Sequence, residues 1–397
     1  MELNKDKLPI IYDSLKRNNV DAWLITGRET ILKSEPILSV LGDIDFIIAT
    51  TLIFTQTKMI AIVSPLDKEG YLLIDGIDEV VEYTGTMEES IVEVLNRLNV
   101  KTLALNYCKD DASSDGLTYG MYLTLESVFK QLNNKPELVS AFSIVSEVRG
   151  RKTPKQVEII KQCVIQADKY LRMVPSICKN GTTSLDIYNF LQEVAYKDGY
   201  EMSWTPSQCP GVSVDPNVPS GHMGIVSAPI VKGYLINIDY GVRKNGYCSD
   251  IQRMYYVLKD DEDKAPKEVV DAFNVIRDAT AMAKEFMKPG VTGFQVDQIA
   301  RHYVVDQGYD SWNAALGHQV GHQTHDGGTL LANRRARYNR PELIDSPLME
   351  GNVFTIEPSL DTPIGRIGLE EDVVITETGC TWLLEPQQEL ILIRLDK

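Results

Sequence analysis

What the chain lacks narrows its function before any motif does. None of the apolar runs among its 397 residues approaches the roughly 18 that a membrane-spanning helix needs, so no contact with a membrane is expected. Basic side chains are in deficit, 40 Lys and Arg against 56 Asp and Glu for a formal charge of −16. That disfavours sequence-independent binding of nucleic acid, which needs a basic footprint. The six cysteines (108, 163, 178, 209, 248 and 380) contain no Cys-x-x-Cys pair. Neither a disulfide framework nor a thiolate zinc site is indicated, and buried free thiols are the expectation. The first 150 residues carry no Gly-x-Gly-x-x-Gly pattern, hence no phosphate-cradling loop. The opening residues show neither an apolar core nor a small-residue cleavage site, so a cytoplasmic protein is expected.

What remains is the composition of a soluble globular protein, 43% hydrophobic and 24% charged, too long for one ordinary core. Residues 1–150 alternate helix-like and strand-like stretches. Helices are expected near Leu8–Lys16, Glu88–Leu98 and Leu117–Phe129. Strands are expected at Ala22–Thr26, Phe46–Thr50, Met59–Val63, Tyr71–Ile74 and Thr102–Asn106. The pattern reads as an α/β domain. A second domain, 151–397, opens with Thr153, Pro154 and Gln156, the N-cap, first-turn proline and capping-box glutamine of a long helix. The chain then repeats itself. Lys179-Asn-Gly-Thr-Thr-Ser and Lys288-Pro-Gly-Val-Thr-Gly each begin a helical stretch, ending at Asp198-Gly199-Tyr200 and Gln307-Gly308-Tyr309. Gly181 to Gly199 and Gly290 to Gly308 are the same distance apart, which predicts two similar α+β halves about a pseudo-twofold axis with a cleft between their strands.

The chemistry gathers around Leu235–Val257. Two strand-like runs flank Asn245-Gly246, the strongest short hairpin signal. A turn centred there sets Asp239 almost opposite Asp250, and facing like charges destabilise a hairpin unless a cation lies between them. All five histidines lie between residues 222 and 325. Three of them, His318, His322 and His325, would share one face of a helix. Gln319 stands where a metalloprotease helix needs glutamate, however, and four nearby glycines favour loop or strand. Downstream, Glu357 follows Val-Phe-Thr-Ile and Glu371 precedes Asp-Val-Val-Ile. Such embedded carboxylates are costly unless paired or metal-bound, although a solvated strand end is an equal alternative on composition.

In order and context, these residues resemble the pita-bread metallopeptidases, the family of creatinase, aminopeptidase P, prolidase and methionine aminopeptidase. The segments concerned are Asn-Ile-Asp239-Tyr-Gly, Ser-Asp250-Ile-Gln-Arg, Gly-His318-x-x-Gly, Phe-Thr-Ile-Glu357-Pro and Glu-Glu371-Asp-Val-Val-Ile-Thr. The resemblance implies an α+β fold, with a pita-bread catalytic domain behind a creatinase-type α/β domain. It implies that Asp239, Asp250, His318, Glu357 and Glu371 bind two divalent cations, Asp250 and Glu371 bridging them. The oxygen-rich donor set favours manganese, with cobalt, zinc and iron open. It further implies that a metal-bridging hydroxide hydrolyses Xaa-Pro peptides, as in a dipeptidase or aminopeptidase, with Glu357 as proton acceptor and His222 and His325 as donors beside the reacting carbonyl. A homodimer acting on small peptides is expected, while His302 and His322 are read as structural.

The likeness frays where substrate would be read. Leu369 stands two residues before Glu371, where relatives often carry arginine, and Arg366 lies near. Thr329 stands four residues after His325, where some dipeptidases place an arginine. A different enzyme on the same scaffold, a small-molecule C–N hydrolase or a metal-dependent lyase, is therefore the second reading. A binding module on an inactivated scaffold is the third, disfavoured because all five ligand positions are filled.

Overall fold

A computed structural model describes residues 2–218 and 224–395. The chain divides into two compact units, Met1–Arg151 and Lys152–Lys397. Among the described residues, no helix is long and apolar enough to cross a membrane.

The first unit is built on a six-stranded mixed sheet. Its order across the sheet is Glu79–Glu82, Met59–Val63, Thr50–Thr55, Ala22–Gly27, Thr102–Leu105 and Glu137–Ser140. Trp23 and Phe54 pack on one face, Leu24 and Ile53 on the other. The central strands are thus covered on both sides, which is why they read as unbroken apolar runs. Both edge strands escaped the sequence reading because they are short and polar. Charged residues blunt one of them, Glu79 pairing with Lys58 and Arg97 and Glu82 with Lys68.

Two expected strands are corrected. The run Phe46–Thr50 becomes strand only at Thr50, because the backbone of Phe46 bonds the turn at Thr30: Phe46 N donates to Thr30 Oγ1 and Phe46 O accepts from Thr30 N. At Tyr71–Ile74 the chain is the end of a short helix, Lys68–Leu72, and its following turn. Tyr71 and Ile74 are buried while Leu72 and Leu73 face solvent, a spacing of three that fits a helix and not a strand.

The second unit carries the duplication. The helices Ser184–Lys197 and Gly293–Asp306 are both 14 residues long, and each starts from a threonine capping box, at Thr183 and Thr292. Gly181, Gly199, Gly290 and Gly308 all have positive φ, so the repeated glycines mark the turns before and after each helix. The long helix Pro154–Leu171 begins with the expected Thr153–Gln156 box. Two hydrophobic clusters follow. One gathers Ile160, Ile187, Ile238 and Tyr255, the other Phe273, Val296, Phe354 and Val373.

Each half contributes a pair of antiparallel strands to the site. Leu235–Tyr240 pairs with Ile251–Val257, Asp239 directly opposite Gln252, and beyond Gly241 the tip continues as Val242–Lys244 with Tyr247–Cys248. Asn245 and Gly246 both have positive φ, as a type I′ turn requires. Val353–Ile356 pairs with Glu371–Ile375, Ile356 opposite Glu371, and the small hairpin Ser359–Thr362 with Gly365–Gly368 lies between them in sequence.

A buried acid in the first unit generates a test. Glu35 is 4% exposed and accepts a hydrogen bond from Asn106 Nδ2 at 3.0 Å, while Asn106 Oδ1 accepts from Trp23 Nε1 at 2.6 Å. Burial pushes the Glu35 carboxyl up to about 7, against the opposing pull of Asn106, the Ile37 N–H, Lys33 and Arg149. The folded state holds this proton more tightly than the unfolded chain, so the acid's contribution is most favourable below pH 4.5 and is lost as pH rises towards 7. Glu35→Gln should therefore raise stability at pH 8 by about 1–3 kcal/mol and change it little at pH 4, as read by denaturant unfolding at the two pH values.

Candidate metal centre

The strand pairs explain how the acids meet. Asp250 sits immediately before the strand Ile251–Val257, two residues from Gln252, and so on the same face as Gln252 and its partner Asp239. Extending the register of the second pair by one residue sets Glu357 opposite Glu370. An isolated bridge between Gln252 and Glu370 then stitches the two ladders together.

His318 enters from an irregular segment running beside Val353–Ile356. His318 N donates to Thr355 Oγ1 and Thr355 N donates to His318 O, while Glu357 N donates to Leu316 O. A Cβ on Gly317 would lie 2.1 Å from Thr355 O, so only glycine permits this approach. The His318–His325 segment is not helical; the rings of His318 and His325 meet edge to face at 4.3 Å, and His322 instead packs on Tyr247.

Around His318 Nε2 stand Glu357 Oε1 at 3.5 Å, Asp250 Oδ2 at 3.6 Å and Glu370 Oε1 at 4.0 Å. Burial, reinforced by His325, pushes the imidazole down to about 3, so the ring is neutral near pH 7. Its Nδ1 lies 3.3 Å from Gln319 O; an N–H there leaves a lone pair on Nε2 facing three carboxylates. Burial and then mutual repulsion push the acids up: Asp250 and Glu370 far above their ordinary range, Glu357 to about 8 through burial and Asp239, with Arg366 opposing.

Such a set is unstable by itself and suits a cation. Ligand atoms of Asp250, His318 and Glu370 all lie within 4.8 Å of one another, the spacing expected around an ion with bonds of about 2.0–2.6 Å. Asp250 Oδ1 is buried and accepts no hydrogen bond, an orphaned acceptor for which a metal would supply the missing partner. The residues present fit a divalent cation.

Glu371, expected from the sequence as the last ligand, does not join this cluster. Successive side chains of a strand point to opposite faces, and Glu371 faces away from Glu370. Its Oε1 accepts from Arg253 Nη1 at 2.9 Å and from Gln387 N at 2.9 Å. Arg253, fully buried, also donates from Nε to Asp168 Oδ1 at 2.7 Å. Alternation returns Asp372 to the site side, where its Oδ2 accepts from Asp250 N at 3.1 Å. Three consecutive acids thus have three separate partners. With Glu370 in the cluster, the position two residues before it is Gly368 rather than Leu369. Arg366 donates to Ser359 Oγ and electrostatically favours ionised Glu357.

Two further features escaped sequence reasoning. Lys152 and Asp326 form a buried ion pair at 3.2 Å. A Cβ on Gly321 would meet both of them, so the pair closes over the backbone of the histidine segment. Asp168 and Arg253 are far apart in sequence and carry no local signal of pairing. His222 lies outside the described residues, and His302 is exposed on its helix.

Known proteins resemble this chain in sequence and fold. A family model for metallopeptidase family M24 matches residues 158–377, a span enclosing Asp239, Asp250, His318, Glu357 and Glu370. The Xaa-Pro dipeptidase of Pyrococcus horikoshii is 28% identical over 406 residues, covering 98% of this chain and all of that one. That of Pyrococcus furiosus is 28% identical over 334 residues, 81% of this chain and 89% of its own. Among solved structures, the Xaa-Pro dipeptidase from Bacillus anthracis superposes with a TM-score of 0.71 at 21% identity, covering 98% of this chain and 99% of the other. The fold is therefore the α+β pita-bread arrangement. With more than half of its length matched by the family model and a buried, cation-seeking acid cluster inside that span, the chain belongs to metallopeptidase family M24, the metal-dependent peptidases.

Proposed function

We propose that the protein is an Xaa-Pro peptidase in which Asp239, Asp250, His318, Glu357 and Glu370 hold two divalent cations. The observation that carries the reading is the position of the His318 imidazole, its Nε2 faced at 3.5–4.0 Å by three carboxylate oxygens. The similar Xaa-Pro dipeptidases supply the substrate class. Four carboxylates and one imidazole form a hard donor set, which favours manganese.

When bound, the cations supply Lewis acidity, polarising the scissile carbonyl and lowering the pKa of water to near neutrality. The chain's own residues do the rest. Glu357, partly exposed beside His318, holds or accepts a proton at the reacting centre. His325, edge-on to His318, offers a ring N–H beside it, and His222 is proposed for the second such donor. Asp372 fixes the backbone of Asp250, keeping that carboxylate aimed at His318. A homodimer in the cytoplasm completes the reading.

The test is hydrolysis of an Xaa-Pro dipeptide and of a longer Xaa-Pro-Xaa peptide by the manganese-loaded protein. Turnover of one or both is expected, and Asp250→Ala should abolish it; a metal-loaded protein inert on both substrates would refute the peptide specificity. A second comparison separates the adjacent glutamates. Glu370→Ala should abolish tight manganese binding. Glu371→Ala should cost about 3 kcal/mol in denaturant unfolding, because it strips a partner from buried Arg253.

A further inference from the structure

We infer that Gln252, held by Asn237, is the positioning residue that fixes the carboxylate of Glu370; the inference rests on Glu370 being a metal ligand. Gln252 meets Glu370 twice. Its backbone N donates to Glu370 O at 3.1 Å, and its side-chain Nε2 donates to Glu370 Oε2 at 2.8 Å. The first contact sets the strand, the second sets the carboxylate.

The direction of the Gln252 amide is decided by its neighbour. Asn237 Nδ2 donates to Gly368 O at 3.0 Å and to Gln252 Oε1 at 3.1 Å, which engages both of its hydrogens. Reversing the Gln252 amide would set NH2 against NH2 at Asn237 and oxygen against oxygen at Glu370. Gln252 therefore presents a donor to Glu370 and nothing else. With Oε2 fixed in this way, Oε1 is the oxygen left facing His318 Nε2, 4.0 Å away.

The surroundings are built around this arrangement. A Cβ on Gly368 would lie 2.9 Å from Gln252 Oε1 and 3.5 Å from Asn237 Nδ2, so glycine leaves the two amides their room. Asn237 is buried, and its amide also lies 3.3 Å from Met254 Sδ. A buried amide costs free energy unless its groups are satisfied, and half-buried Gln252 is satisfied by Asn237 on one side and Glu370 on the other. A neutral donor stabilises the ionised form of Glu370 without adding charge, whereas a carboxylate at residue 252 would add to the repulsion.

Donors that orient metal ligands typically account for 10–100-fold in metal affinity. Gln252→Met, which keeps length and removes the amide, should weaken manganese binding by that factor in equilibrium dialysis while the thermal midpoint of the metal-free protein stays within a few degrees. Asn237→Ser should weaken it several-fold with Gln252 intact and have no further effect in the Gln252→Met background, since its influence passes through Gln252. Unchanged manganese affinity in Gln252→Met, or additive losses in the double variant, overturns the inference. If Gln252→Met does not fold, Asn237→Ser alone decides, with unchanged affinity counting against. Glu370→Ala is the control for the premise: retained tight binding there refutes Glu370 as a ligand, whereas loss there without loss in Gln252→Met refutes only the role of Gln252.

Discussion

Buried carboxylates that repel one another are the constraint on which the catalytic unit depends. Asp239, Asp250, Glu357, Glu370 and Asp372 share one region, and burial with mutual repulsion raises several of them far above their ordinary range. A chain that gathers such groups must supply rigid backbone to hold them and positive charge to offset them. The rigidity comes from two antiparallel ladders, one from each half of the duplication, joined by the backbone pairing of Gln252 with Glu370. The positive charge is what a metal-dependent peptidase takes from its cations.

A second layer explains why the acids do not simply splay apart. Arg253 binds Glu371 on the far side of the strand and ties it to Asp168 on the long helix. The Asp250 N–H anchors Asp372. Lys152 meets Asp326 and closes over Gly321, which holds the segment carrying His318 and His325. Each contact lies one step behind the acid cluster, and each pairs a buried charge with a donor or a counter-ion, the condition under which buried charge is tolerated at all.

The duplication also explains the economy of the site. A helix, a glycine turn and a strand pair occur in each half, and each strand pair delivers acids to one face near its end. Among the described residues, the irregular segment bearing His318 is the one contributor to the cluster outside those ladders, and it is held by bonding directly to Thr355 and Glu357.

Much of this was legible in local sequence. Asn245-Gly246 sets the turn, the turn sets the register, and the register places Asp239 and Asp250 on one face, because strand periodicity and turn geometry are properties of neighbouring residues. The same holds for the capping box at Thr153 and for the paired glycine turns. The choice between Glu370 and Glu371 was not legible. Glu371–Ile375 is covered on both sides, so no polar–apolar alternation marks its faces, and a shift of one residue exchanges them. Only pairing with Val353–Ile356 sets Glu357 across from Glu370 and turns Glu371 to Arg253. The partnerships of Asp168 with Arg253, Lys152 with Asp326 and Asn237 with Gln252 were likewise decided by tertiary structure, since the chain brings each pair together only once the sheets and helices have packed.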